Sequence, residues 1–244
     1  MNRILFERQE LHDDGTVVLT DGRAEHIRDV MPAERGAVVR VGMLDGLVGM
    51  GRVDALAPEG VRLAVTLDAE PLAPWMDLLL AVPRPKVLRR LWPQLAALGV
   101  GRIVLVNAAR VESCYFHAHG LREEEYRPRL IEGLAQAGTT RVPHVLVRRR
   151  FKPFVEDELD ALFPTPWRIL GHPGPATDVP PRPAQDGAAP PLLAVGPEGG
   201  WTPYERDQLL ARGFVPFALG PRILRSDTAC IALLAVLSHH LACR

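Results

Sequence analysis

The stretch Leu192-Leu193-Ala194-Val195-Gly196-Pro197-Glu198-Gly199-Gly200-Trp201-Thr202-Pro203-Tyr204-Glu205 decides how the rest of the chain is read. Leu192–Val195 is a continuous apolar run, as expected of a strand buried on both faces of a parallel sheet. Gly196, Gly199 and Gly200 follow at once, and glycine lets backbone approach a ligand closely. Thr202 and Glu205 then have the spacing of a capping box, with Pro203 at the favoured first helical position. Glu205 is therefore read as structural. Glu198, inside the turn, is a candidate for a salt bridge, for stabilising a helix start or for facing a substrate. In open α/β sheets ligands bind beyond the carboxyl ends of the strands, which is where this turn falls. Taken alone, such a turn is most simply a connection between strand and helix.

A second stretch repeats the arrangement. Leu219-Gly220-Pro221-Arg222-Ile223-Leu224-Arg225-Ser226-Asp227-Thr228-Ala229 leads from a short strand through a Gly-Pro turn into a helix. Ser226 is the expected N-cap. Arg222 and Arg225 precede the positive end of that helix, which is unfavourable unless an anion is near. A phosphate, a carboxylate or a developing base anion would satisfy them, and so would an ion pair with Glu198 or Asp227.

Outward from these two stretches, strands and helices alternate. Strands are expected at Leu78–Val82, Ile103–Val106, His144–Val147, Trp167–Leu170, Leu192–Val195 and Phe217–Leu219. Helices are expected at Lys86–Leu98, Glu124–Ala137, Val155–Leu162, Thr202–Arg212 and Ser226–Leu241. This order argues for a parallel α/β sheet. Before residue 73 the pattern differs. Thr16–Thr20, Ala37–Val41, Leu47–Val53 and Val61–Leu67 are short β-branched runs separated by turns, with one helix near Ala24–Met31, and they suggest a small barrel. The division is therefore 1–72 and 73–244. Pro173–Pro191, rich in Pro, Gly and Ala, reads as a surface loop.

The composition is that of a folded globular protein, with 47% hydrophobic and 24% charged residues. Formal net charge is zero. Residues 1–73 carry eight Arg against thirteen acidic residues, so the basic excess lies after residue 73. That first segment is not a phosphate binder on bulk charge alone. The three cysteines, Cys114, Cys230 and Cys243, have no C-x-x-C spacing, and neither a zinc site nor a disulfide framework is expected. No metal is expected at His117 and His119, and His239-His240 read as helix surface or dimer contact. Glu123-Glu124-Glu125 is the exposed start of a helix, and Arg148-Arg149-Arg150-Phe151-Lys152 is either an RNA-phosphate contact or a solvated strand end. The N-terminus lacks a signal-peptide pattern, and Ile231–Leu237 is too short to span a bilayer, so a cytoplasmic, non-membrane protein is expected. No G-x-G-x-x-G follows an early strand, which argues against a Rossmann dehydrogenase.

The paired motifs G-P-E-G-G-W-T-P-Y-E and L-G-P-R-I-L-R-S-D-T-A resemble the RsmE family of 16S ribosomal RNA (uracil-N3)-methyltransferases, of the SPOUT class. Leu98-Gly99-Val100 is similar to the family's E-L-G-V element. Gln136, Gly138, Val142 and Pro143 match part of its A-E-Q-x-G-R-x-x-V-P element, and His26 and Val30 part of H-x-x-x-V-L-R. The chain departs at Gln94 and Ala97, where the family has Lys and Glu, and at Ala135 and Thr139, where it has Glu and Arg. It also departs at Pro32, where the family has Arg, and at Asp227, where it has Glu.

The resemblance implies a PUA-like β-barrel followed by a SPOUT domain with a C-terminal trefoil knot. It implies S-adenosylmethionine as cofactor, a homodimer, and 16S ribosomal RNA or a small-subunit assembly particle as partner. By position, the cofactor pocket is expected from Leu170, Gly171, His172, Gly196, Pro197, Glu198, Gly199, Gly200, Leu219, Gly220, Ile223 and Leu224. Methyl transfer to a uracil nitrogen requires positioning and loss of the ring proton, and a nearby arginine favours the anionic base. Arg225 is assigned that role, Arg222 a phosphate or base contact, and Glu198 proton acceptance or arginine positioning. The alternatives are a SPOUT methyltransferase acting on another RNA, and a non-catalytic RNA-binding protein that keeps the fold.

Overall fold

The computed structural model describes residues 2–30, 34–117, 119–183 and 189–242. Pro32, Cys243, the end of the helix expected at Ala24–Met31 and part of the Pro173–Pro191 loop lie outside them. The described chain forms two compact units, Met1–Ala73 with Ile131–Val142, and Pro74–Leu130 with Pro143–Arg244.

The first unit holds β1 (Ile4–Phe6), β2 (Thr16–Leu19), β3 (Val38–Met43), β4 (Val48–Ala57) and β5 (Gly60–Ala69), with α1 (Gly22–Glu25) running into a π turn at His26–Val30. The strands form one sheet in the order β1-β3-β4-β5-β2. All pairs are antiparallel except β1–β3, which is parallel. Inward residues such as Phe6, Leu19, Val41, Val53 and Leu63 are buried together, as the two-residue period of the strands requires, and Ile27 of the π turn packs with them. β1 was not foreseen, because three residues are too few to show a period. In the same unit the carbonyl of Ala135 accepts from the amides of Asn2 and Arg3, both at 3.1 Å. Thr139 Oγ1 donates to the Leu72 carbonyl at 3.3 Å. Two of the departures from the family pattern, Ala135 and Thr139, thus belong to the packing of this unit.

The second unit contains β6 (Met76–Ala81), α2 (Pro85–Ala97), β7 (Val100–Val106), β8 (His144–Arg148), α4 (Phe151–Pro153), α5 (Leu159–Leu162), β9 (Arg168–Gly171), β10 (Leu192–Val195), α6 (Pro203–Ala211), β11 (Phe214–Phe217) and α7 (Ser226–Ala242). The helix Glu123–Ala137, α3, lies between β7 and β8 in sequence. The six strands make a sheet in the order β11-β9-β10-β6-β7-β8, every pair parallel. β6 and β10 are buried throughout, which is why they read as unbroken apolar runs. The last strand lies at 214–217 rather than the expected 217–219. Pro216 hid it, yet β11 is an edge strand, where a missing amide is tolerated. Pro93 lies inside α2, which runs unbroken from Pro85 to Ala97.

Asp77, 1% exposed on β6, binds Arg102 of β7 through Nη2 at 2.5 Å and Nε at 3.0 Å. Burial pushes its carboxyl above the ordinary range while Arg102 opposes that shift. The pair ties β6 to its neighbour β7. Cys230 is buried in α7, and burial pushes its thiol up to about 12, so it packs as an apolar group. Among the described residues no helix is long and apolar enough to cross a membrane, and no cluster of potential metal ligands occurs.

Candidate functional site

The carboxyl ends of β9, β10 and β11 open onto one cavity of about 220 Å³. Gly171 and His172 reach it from β9, Val195 to Trp201 from β10, and Phe217, Leu219 and Gly220 from β11. Arg222, Ile223, Leu224 and Ser226 complete the wall, with Ala229 and Leu233 of α7 behind. Of the expected pocket residues only Leu170 is absent from this lining. It is fully buried in the core of the sheet, one residue before the strand end.

The first turn is fixed from several sides. The Thr202 hydroxyl accepts from the Glu205 amide at 3.3 Å, and Glu205 Oε2 accepts from the Thr202 amide at 2.9 Å. This is the capping box the sequence spacing indicated. Glu205 is 3% exposed and does more than cap, because its Oε1 also accepts from the amide of Ala109, after β7, at 2.6 Å. Arg110 Nη1 donates to the Gly199 carbonyl at 2.5 Å. Glu198 Oε1 accepts from the amide of Arg84 at 3.2 Å. Arg84 is the N-cap residue of α2 and has no side-chain cap of its own. Of the three roles open to Glu198 in the sequence, the structure makes the helix-start contact, and to a helix more than a hundred residues away. Gly200, with φ of +70°, turns the chain where an L side chain would be strained.

The second turn has fewer ties. The amide of His172 donates to the Phe217 carbonyl at 3.1 Å, and Thr177 exchanges hydrogen bonds of 3.0 Å with Ala218 at the base of the turn. Beyond Gly220, with φ of +142°, the chain runs exposed from Pro221 to Arg225. Ile223 is 83% exposed although it lines the cavity.

Ser226 does not cap α7. Its Oγ is buried without a hydrogen-bond partner and lies in the cavity wall, and Arg225 takes the N-cap position, its carbonyl accepting from Ala229 at 2.8 Å. Trp201, 5% exposed, likewise has an unpaired Nε1. The ring edge carrying that atom would lie 3.1 Å from a Cβ placed on Gly196. A Cβ on Gly171 would lie 2.6 Å from Leu233 Cδ1. Both glycines thus sit in close packing at the cavity floor, where a larger residue would press on Trp201 or push the Leu233 side chain aside.

The two arginines separate. Arg222 is on the cavity wall. Arg225 is outside it, in a neighbouring cleft, with Nε 3.6 Å from Asp227. One of the ion pairs weighed from sequence therefore forms, and Asp227 also binds Arg90 of α2 at 3.0 Å. The sequence reading missed Arg84, Arg90 and Arg110, whose partners are about 90 to 140 residues away and leave no local signal. The basic run at 148–152 is largely engaged, with Arg148 on Glu158 at 2.6 Å, Lys152 near Glu156 at 3.8 Å and Arg149 over the Phe116 ring.

Residues 70–238 match the model of the RNA methyltransferase domain family. The chain is 32% identical over 242 residues to ribosomal RNA small subunit methyltransferase E of Treponema pallidum (strain Nichols), covering 97% of this chain and 90% of that one. It is 25% identical over 154 residues to ribosomal RNA small subunit methyltransferase E 1 of Borreliella burgdorferi, covering 63% of each. Its fold is similar to the crystal structure of a ribosomal RNA small subunit methyltransferase E from Neisseria gonorrhoeae bound to S-adenosyl methionine. That match has a TM-score of 0.75 at 22% identity, over 98% of this chain and 97% of the other.

Proposed function

Because the chain belongs to the ribosomal RNA small subunit methyltransferase E family, we propose that its glycine-lined cavity holds S-adenosylmethionine and that it methylates N3 of a uridine in 16S ribosomal RNA. Membership makes it an S-adenosylmethionine-dependent ribosomal RNA methyltransferase; the nucleotide and the residue roles are our reading. The observation that carries it is the convergence of both glycine turns on one cavity whose wall holds two unpaired buried polar atoms, Ser226 Oγ and Trp201 Nε1. Buried polar atoms without partners are costly and call for a ligand or water. The remaining wall, Val195, Phe217, Leu219, Ile223, Leu224 and Leu233, is apolar and suits an adenosine and a thioether.

When bound, the cofactor supplies an electrophilic methyl on a sulfonium. The chain's own groups orient the two reactants and keep water out. Arg222, on the wall, favours the anionic form of the base as its ring proton passes to the Glu198 carboxylate, which lines the same cavity. Glu198 holds the first turn against α2 and so keeps Gly199 and Gly200 in place. Arg225, paired with Asp227 outside the cavity, is given a different role below.

The family also supports three finer assignments. The 1–72 segment is a PUA-like barrel that contacts RNA, and 73–244 is a SPOUT domain. The chain forms its trefoil knot within the second unit, around the β9, β10 and β11 ends. Two copies assemble as a cytoplasmic homodimer, with the partly exposed Val236 on the apolar helix α7 as one candidate contact.

The test is calorimetric titration with S-adenosylhomocysteine, followed by methyl transfer to 16S ribosomal RNA with the modified base identified by mass spectrometry. Saturable binding and N3-methyluridine are expected. Arg222→Ala lowers turnover about 30-fold, or ~2 kcal/mol, with S-adenosylhomocysteine affinity unchanged. No binding with or without RNA would overturn the reading, and wild-type turnover in the variant would remove Arg222 from the mechanism.

A further inference from the structure

The first turn of α7 is a wall with two sides. Ser226 faces the cofactor cavity, but Arg225, Asp227 and Thr228 line a separate polar cleft of about 290 Å³. Across that cleft stand Arg90 and Gln94, one helical turn apart on α2. The Asp227 carboxylate, 17% exposed, binds Arg90 Nη2 at 3.0 Å and lies 3.6 Å from Arg225 Nε, and its Oδ1 also accepts from the Thr228 amide at 3.0 Å. One carboxylate against two guanidiniums leaves a positive charge, and the amino end of the 17-residue helix α7 adds to it. The two arginine side chains are 60% and 67% exposed. Ion pairs that open to solvent stabilise a fold by only ~0–1 kcal/mol, so fold stability does not account for gathering two long cations at one point. Each guanidinium carries five donors in a planar fork. Both forks are open to solvent apart from their contacts with Asp227.

We propose that this cleft takes a backbone phosphate of the RNA substrate, with Arg90 and Arg225 as its ligands and Asp227 as the group that holds them in place. The inference rests on the RNA methyltransferase reading. Phosphate contacts of this kind fix register without reading sequence. A phosphate seated one residue from Ser226 places its own nucleotide or a neighbouring one at the mouth of the cofactor cavity. Arg90 is thereby a positioning residue for a reaction that occurs on the other side of the α7 turn.

The test uses the full chain and 16S ribosomal RNA, with binding followed by fluorescence anisotropy across a salt series and without cofactor. Arg90→Gln is expected to weaken RNA binding about fivefold. It is also expected to reduce the slope of log affinity against log salt by about one, the signature of one lost phosphate contact. S-adenosylhomocysteine affinity stays within about twofold of wild type. In Arg90→Gln/Gln94→Lys a cation returns one turn along the same cleft, and the slope recovers. Unchanged affinity and slope in Arg90→Gln, or no RNA binding by the wild-type chain, would overturn the phosphate site. So would a parallel loss of S-adenosylhomocysteine binding, which would make Arg90 a structural residue. Failure of the wild type to bind S-adenosylhomocysteine would instead count against the proposed function, since the RNA readout needs no cofactor.

Discussion

The two glycine turns share a plan and differ in how they are held. Each runs from the carboxyl end of a parallel strand into a helix. The turn after β10 is bound by three contacts to two other parts of the unit, through Glu205 to Ala109 and Gly199 to Arg110 in the segment after β7, and through Glu198 to Arg84 before α2. The turn after β11 is tied at its base and, loosely, at its end through Arg225 to Asp227, and its Pro221–Arg225 segment lies exposed. One side of the cavity is therefore built by folding, and the other leaves apolar side chains in water until something covers them. The physical lesson is that a site can divide its work. A rigid half sets geometry, and an exposed half gains its burial from the ligand itself.

Three substitutions probe this contrast. The largest effect is expected at Glu205. Replacing it with Ala strips a buried carboxylate that accepts from two amides and a hydroxyl, and should lower unfolding free energy by about 3 kcal/mol in urea denaturation. A loss below about 1 kcal/mol would mean the first turn is not held as described. Arg110→Ala removes one hydrogen bond and the packing on Gly199. A cost of about 1 kcal/mol is expected, with weaker S-adenosylhomocysteine binding as the turn loosens. Ile223→Ala, at an 83% exposed position, should change stability by less than about 0.5 kcal/mol while weakening S-adenosylhomocysteine several-fold in calorimetry. Equal losses of stability and affinity there would erase the distinction between the two halves.

Much of the first turn was legible. Capping-box spacing, a first-turn proline and glycines after an apolar run are local signals, because each depends on residues within a few positions of one another. The second turn was legible in outline, but Ser226 was misassigned. A serine before a helix is ordinarily its cap, and only packing turns its hydroxyl inward to the cavity wall. The sequence places Arg222 and Arg225 three residues apart beside one helix end, and on that reading the base-stabilising role falls to Arg225, with a phosphate or base contact for Arg222. The fold sends one to the cavity and the other to the cleft.

The sequence by itself determined the parallel sheet, the two strand–turn–helix crossings and the family, since apolar runs, turn residues and motifs are short-range patterns written in consecutive residues. Only the tertiary structure decided that Glu198 supports α2, that Arg110 fastens Gly199 and that Arg90 shares Asp227 with Arg225. Those contacts join residues about 90 to 140 positions apart, and a single sequence carries no trace of which distant side chains the order β11-β9-β10-β6-β7-β8 will bring within hydrogen-bonding distance.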